Sequence, residues 1–107
     1  MIAINEEHAV MLDNSQVANF FQAHILRWVA RDDMSGELIQ ALNDIFGTNI
    51  SDDLFGQIGD RASLNSQVAN FFQAHILNDM REETIQILND IFDTNIKYLG
   101  NSRWRRM

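Results

Sequence analysis

Three groups of side chains have types and spacings suited to chemistry. His24 and His75 occupy the same position in two identical helical segments, in the middle of an apolar face. Imidazoles so placed could titrate near neutral pH or ligate a metal ion. A zinc site needs three or four ligands, and neither histidine has a second histidine at i+3 or i+4. Both are therefore expected to be core residues. Asp44, Asp52 and Asp53 suggest calcium, but Asn43-Asp44-Ile45-Phe46-Gly47-Thr48-Asn49 lacks the alternating oxygen ligands, the sixth-position glycine and the closing glutamate of a calcium loop. The third group, Arg103-Trp104-Arg105-Arg106, joins cations to an aromatic ring. It could hold a nucleic acid by phosphate contact and stacking, or fold back on an acidic body.

Catalytic logic is missing elsewhere. There is no glycine-rich phosphate loop, no nucleophile elbow and no cysteine. The chain is expected not to be an enzyme and to carry neither cofactor nor metal. Ser15-Gln16-Val17-Ala18 has the look of the start of a helix-turn-helix reader. It runs on into Asn19-Phe20-Phe21 without a turn glycine or a base-reading arginine or lysine, which argues against that use.

The elements that carry these groups are duplicated. Asn14 to Leu26 recurs without change as Asn65 to Leu77. Leu42-Asn43-Asp44-Ile45-Phe46 recurs as Leu88 to Phe92, and Thr48-Asn49-Ile50 as Thr94 to Ile96. Each copy forms a helical hairpin too small to bury both of its apolar faces alone. In the first repeated helix Val17, Phe20, Phe21, His24, Ile25 and Trp28 share one face at 100° per residue, with Asn14 or Ser15 as its cap. The second runs from about Ser35 to Phe46, with Gly47 as a left-handed stop. In copy two, Asp79-Met80-Arg81-Glu82 has the spacing of a capping box.

Shorter helices are expected from Asn5 to Leu12 and from Ser51 to Ile58, with Gly56, Gly59 and Asp60 marking the connection into copy two. A last turn is expected around Ile96 to Leu99. The fold expected is all-α: a compact bundle of four main helices plus short ones, two tandem hairpins related by pseudo-two-fold symmetry. Residues 1–100 form one domain, with repeat one at 14–50 and repeat two at 65–96, followed by a basic tail at 101–107. The absence of proline favours helices throughout.

Charge is divided unevenly along the chain. The net charge is −7, yet residues 1–96 hold all fifteen acids against four arginines and the last eleven residues hold four bases. Such a body repels phosphate backbones and attracts basic surfaces. Glu37, Gln40 and Asp44 on copy one match Glu83, Gln86 and Asp90 on copy two, and Asp93 extends the second stripe where Gly47 stands in the first. The carboxylates Glu37, Asp44, Glu83, Asp90 and Asp93 are thus candidate contacts for a basic partner. The positions where the copies diverge are a second candidate set: Arg27, Trp28, Arg31, Ile87, and the tail residues Arg103, Trp104, Arg105 and Arg106. Leu26, Leu77 and Ile87 point away from the main apolar stripe, so assembly into a homo-oligomer is open.

No apolar run approaches a membrane span, no segment resembles a signal peptide, and without cysteine there are no disulfides, which together suggest a cytoplasmic protein. In size, acidity and lack of site chemistry the chain resembles phage counter-defence proteins of the anti-CRISPR kind, which occlude basic nucleic-acid-binding surfaces. That likeness implies a non-catalytic acidic inhibitor or adaptor and carries over no residues. The alternatives are a nucleic-acid-associated regulator using the basic tail and a self-assembling structural protein.

Overall fold

The computed structural model describes residues 10–31, 35–50 and 61–106. In chain order the elements are β1 (Val10–Asp13), α1 (Asn14–Val29), α2 (Ser35–Phe46), α3 (Arg61–Asn78), α4 (Glu82–Phe92), β2 (Ile96–Gly100) and β3 (Arg103–Arg106). The strands make one antiparallel sheet in the order β1-β3-β2. The all-α expectation is therefore corrected: the fold is mostly helical with a three-stranded sheet. Nor does the whole molecule show the expected pseudo-two-fold relation. β1 precedes the first repeated block, β3 follows the second, and Ile50, the counterpart of the first residue of β2, begins no described strand.

Two local features explain the difference. Gly100, Asn101 and Ser102 all have positive φ, at 96°, 53° and 59°. Asn101 and Ser102 are the two central residues of a tight hairpin, where positive φ at both matches the twist of the flanking strands. The chain thus reverses at the point expected to open a tail, and Ile96–Gly100 is a strand where a turn was expected. β3 then pairs with β1 from the opposite end of the chain, Val10 facing Arg106 and Leu12 facing Trp104. Val10 to Leu12, expected to be helical, is drawn into this sheet. The remainder of that expected helix lies outside the described residues, as do the Ser51–Ile58 helix and its Gly56, Gly59 and Asp60 connection.

Trp104 anchors the sheet to the helices. It is 1% exposed, it packs against Tyr98 with ring centroids 4.7 Å apart, and its indole Nε1 donates to Asn14 Oδ1 at 2.8 Å. Asn14 is thereby occupied, and Asp13 caps α1 instead. The Asp13 carboxylate accepts from Gln16 N at 2.8 Å, while Asp13 N donates to Gln16 Oε1 at 2.9 Å. This reciprocal pair satisfies two backbone donors at the strand-to-helix junction.

α1 and α3 pack antiparallel at the centre of the molecule. Gln22 Nε2 donates to Asn70 Oδ1, and Gln73 Nε2 donates to Asn19 Oδ1 at 3.3 Å. Each bond is the other with the copies exchanged, so these repeated amides face one another across the seam between the helices. The stripe buried on α1 is Val17, Ala18, Phe21, Ile25 and Val29, rotated from the expected one, and Phe20, His24 and Trp28 sit half-buried on its flank. Leu38, Ile39 and Leu42 of α2, and Ile85, Leu88 and Phe92 of α4, complete a single core with Val68, Phe72 and Ile76 of α3.

The exits of α2 and α4 are built alike. Asn43 Nδ2 donates to Ile50 O at 2.7 Å, and its Oδ1 accepts from Thr48 Oγ1 at 2.7 Å and Ile50 N at 3.1 Å. Asn89 makes the same three bonds, to Ile96 O at 2.9 Å and from Thr94 Oγ1 at 2.8 Å and Ile96 N at 3.1 Å. Both asparagines are buried, and each supplies the pairing that the chain leaving the helix cannot find in a ladder. Gly47 adopts the expected left-handed conformation at φ 65°, and Asp93 adopts it at φ 56°. The start of α4 departs from expectation: Arg81 is the cap residue and makes no side-chain capping bond. The Asp79 carboxylate instead accepts from Arg81 Nε at 2.7 Å and from Thr84 Oγ1 at 3.2 Å. The hydrogen-bonded Arg81 guanidinium holds the Asp79 pKa below its ordinary value against the opposing effect of burial.

Candidate functional site

One position at which the two copies differ, Asp93, lies at the end of α4. A cleft of about 350 Å³ opens there, lined by Phe20 and His24 of α1, by Asp93, Thr94 and Asn95 after α4, and by Arg106 of β3. The repeat positions Phe20 and His24 one helical turn apart, with ring centroids 4.7 Å from each other. Phe92 packs on His24 at 5.6 Å and on Trp28 at 5.4 Å. Asp93 follows Phe92 directly, and its left-handed backbone turns the chain towards Thr94 and Asn95. β3 delivers Arg106, whose guanidinium carbon lies 5.0 Å from the centre of the Phe20 ring. That distance is within cation–π range.

The electrostatics of the cleft follow from this packing. Burial lowers the His24 pKa from its ordinary value, and the charges of Arg27 and Arg106 lower it further. His24 is thus a neutral ring near pH 7, apolar on its faces and polar at its edge. Among the described residues the ion pairs are those of Arg81 with Asp79 and Glu83, so Asp93 and Arg106 share the cleft without pairing to each other.

His24 and His75 do not face one another as a pair. His75 packs against Phe71 at 4.6 Å and Phe46 at 5.8 Å, the counterparts of Phe20 and Phe92. Among the described residues no three His, Asp or Glu side chains gather as metal ligands. No helix among them is long and apolar enough to cross a membrane.

The other sequence candidates are more scattered. Glu37 and Asp44 on α2, and Glu83 and Asp90 on α4, are all exposed, and Glu83 lies 3.7 Å from Arg81. Arg27 and Arg31 are exposed near the end of α1, while Trp28 between them is half-buried against Phe92. Ile87 is 45% exposed and stands apart from the cleft lining. In β3 the alternation of a strand sets Trp104 and Arg106 on one face and Arg103 and Arg105 on the other. Arg105 is flanked by Met11 and Lys97, and its Nε is buried without a hydrogen-bond partner among the described residues.

Of the candidate residues, Asp93 and Arg106 line the cleft, Trp28 lies behind it against Phe92, Arg27 is near enough to His24 to lower its pKa, and the remaining carboxylates are not gathered into this site. Sequence reasoning missed Phe20, Thr94 and Asn95 as lining residues. Their one signal was the replacement of Gly47 by Asp93 immediately before an otherwise unchanged Thr-Asn-Ile. No protein-family model matches the sequence, and neither a curated protein nor a solved structure matches it.

Proposed function

We propose that the protein is a non-catalytic binding module, cytoplasmic, whose acidic helix faces occupy a basic surface of a partner protein. The reading fits the manner of the phage counter-defence inhibitors that its composition resembles. The observation that carries it is the exposure of Glu37, Asp44, Glu83 and Asp90 along the outer sides of α2 and α4, with Glu83 alone among them in a described ion pair. Both helices are fixed at their ends by buried asparagine joints, so the carboxylates are presented on rigid supports. Preorganised charge of one sign steers a partner of the other sign and lowers the ordering cost of binding.

The test is affinity capture from the native host, with the bound protein identified and its binding remeasured in isolation. Reversing Glu83 and Asp90 to lysine should weaken that complex about tenfold or more, and added salt should weaken the unmodified complex. Unchanged binding by the reversed variant ends the acidic-face reading.

A second reading rests on the face of the sheet that carries Lys97, Arg103 and Arg105, a basic patch suited to phosphate oxygens. Trp104 is buried and takes no part in base stacking. Deleting 101–107 would remove the central strand, so substitution is the discriminating experiment. Arg103→Gln with Arg105→Gln should reduce oligonucleotide affinity and flatten its dependence on salt. An oligonucleotide affinity that does not fall with salt removes this reading.

A further inference from the structure

We propose that the cleft at the end of α4 binds a small zwitterion, a free α-amino acid, with Arg106 taking the carboxylate and Asp93 the ammonium group. The two charges line one cleft of about 350 Å³ and form no ion pair with each other. Each is held in place separately. The guanidinium rests on the Phe20 ring, and the Asp93 carboxylate stands on a left-handed residue at φ 56°. An arginine stacked on an aromatic ring keeps its N–H edge free, and that edge matches a carboxylate in a bidentate pair.

The remaining lining completes the match. The part of the Phe20 ring that the guanidinium leaves uncovered and the neutral His24 ring offer an apolar wall for a ligand side chain, while Asn95 adds hydrogen-bonding groups beside Asp93; Thr94 lines the cleft with its N–H and hydroxyl already given to Asn89. A ligand carrying a carboxylate alone meets the repulsion of Asp93. One carrying an amine alone meets that of Arg106. Discrimination against singly charged molecules is therefore built into the pair.

Copy one shows that the duplicated framework does not need these charges. There the same exit carries Gly47 in place of Asp93, directly after Phe46, which packs on His75. A non-glycine residue in the left-handed region carries a strain that Gly47 avoids, and such departures concentrate at functional positions. The opposite charge, Arg106, comes from a strand the duplication does not contain. The inference is independent of the acidic faces of α2 and α4.

The experiment is a titration of the ¹⁵N-labelled 107-residue chain with each of the proteinogenic amino acids, followed through the Thr94 and Asn95 amide resonances. The effective amino acid is then compared with its amine lacking the carboxylate and its acid lacking the amine. At least one amino acid should shift both resonances saturably, and both analogues should bind about tenfold more weakly or worse. Arg106→Gln and Asp93→Gly should each weaken binding by a similar factor. Asp93→Gly installs the residue that copy one already uses and that the backbone favours, so its fold is retained. Absence of a saturable shift across the panel overturns the proposal, as does equal binding of either analogue or undiminished binding by Asp93→Gly.

Discussion

The ends of α2 and α4 share a joint and differ in what is attached to it. At both, a buried asparagine makes three hydrogen bonds to the departing chain, a left-handed residue follows the helix, and a terminal phenylalanine packs on the histidine of the opposite copy. At the end of α2 the left-handed residue is glycine. At the end of α4 it is aspartate, and the chain continues into the sheet that delivers Arg106. Repeated sequence thus supplies a structural unit used twice, and unshared sequence turns one of the two uses into a charged cleft.

The largest effect should come from what only the second joint possesses. Trp104→Ala should destabilise the protein by about 3–5 kcal/mol in urea unfolding, through the cavity it leaves and the lost indole bond to Asn14. A loss below about 1 kcal/mol would mean that the sheet adds little to the helices.

Asn43→Ala and Asn89→Ala compare the joints directly. Each leaves a buried backbone N–H and C=O without their partner, and each should cost about 2–4 kcal/mol. Near-equal losses in paired denaturation curves would establish the two exits as energetically equivalent. A much smaller loss at one would break the comparison.

Exchanging the left-handed residues gives a finer measure. Asp93→Gly should raise stability by about 0.5–1 kcal/mol, and Gly47→Asp should lower it by a similar amount. A β-carbon added at Gly47 meets nothing within 4 Å, so the change there reports backbone strain rather than a clash.

The smallest effect concerns pH. The His24 pKa is lowered in the folded state by burial first and then by Arg27 and Arg106, so the unfolded chain binds more protons in the window below the ordinary histidine value of about 6.5. The corresponding stability is present in full above that value and is lost as pH falls through the folded pKa of His24. His24→Gln should flatten the fall in melting temperature between pH 7 and pH 5. An unaltered slope would show that this side chain is not its source.

Particular residues show how far the sequence could be read. Asn43 and Asn89 stood in the repeated Leu-Asn-Asp-Ile-Phe block with no role assigned, because the carbonyl and amide they satisfy belong to residues seven further on. Asn19, Gln22, Asn70 and Gln73 were visible as identical, yet their reason is a contact between copies that no single helix reveals. The cleft itself depended on Phe20, Asp93 and Arg106 meeting from three elements, and only the substitution at Asp93 hinted at it.

By itself the sequence determined the duplication, the four helices and the stop at Gly47, because a repeat, a 3.6-residue period and a glycine act over short stretches of chain. Tertiary structure alone decided the sheet, since Val10 pairs with Arg106 across nearly the whole chain and strands of four or five residues carry too little periodicity to declare themselves. It also decided that Arg106, at the end of what looked like a basic tail, stands over Phe20 opposite Asp93. Such placement of charge depends on long-range pairing, which local propensity does not encode.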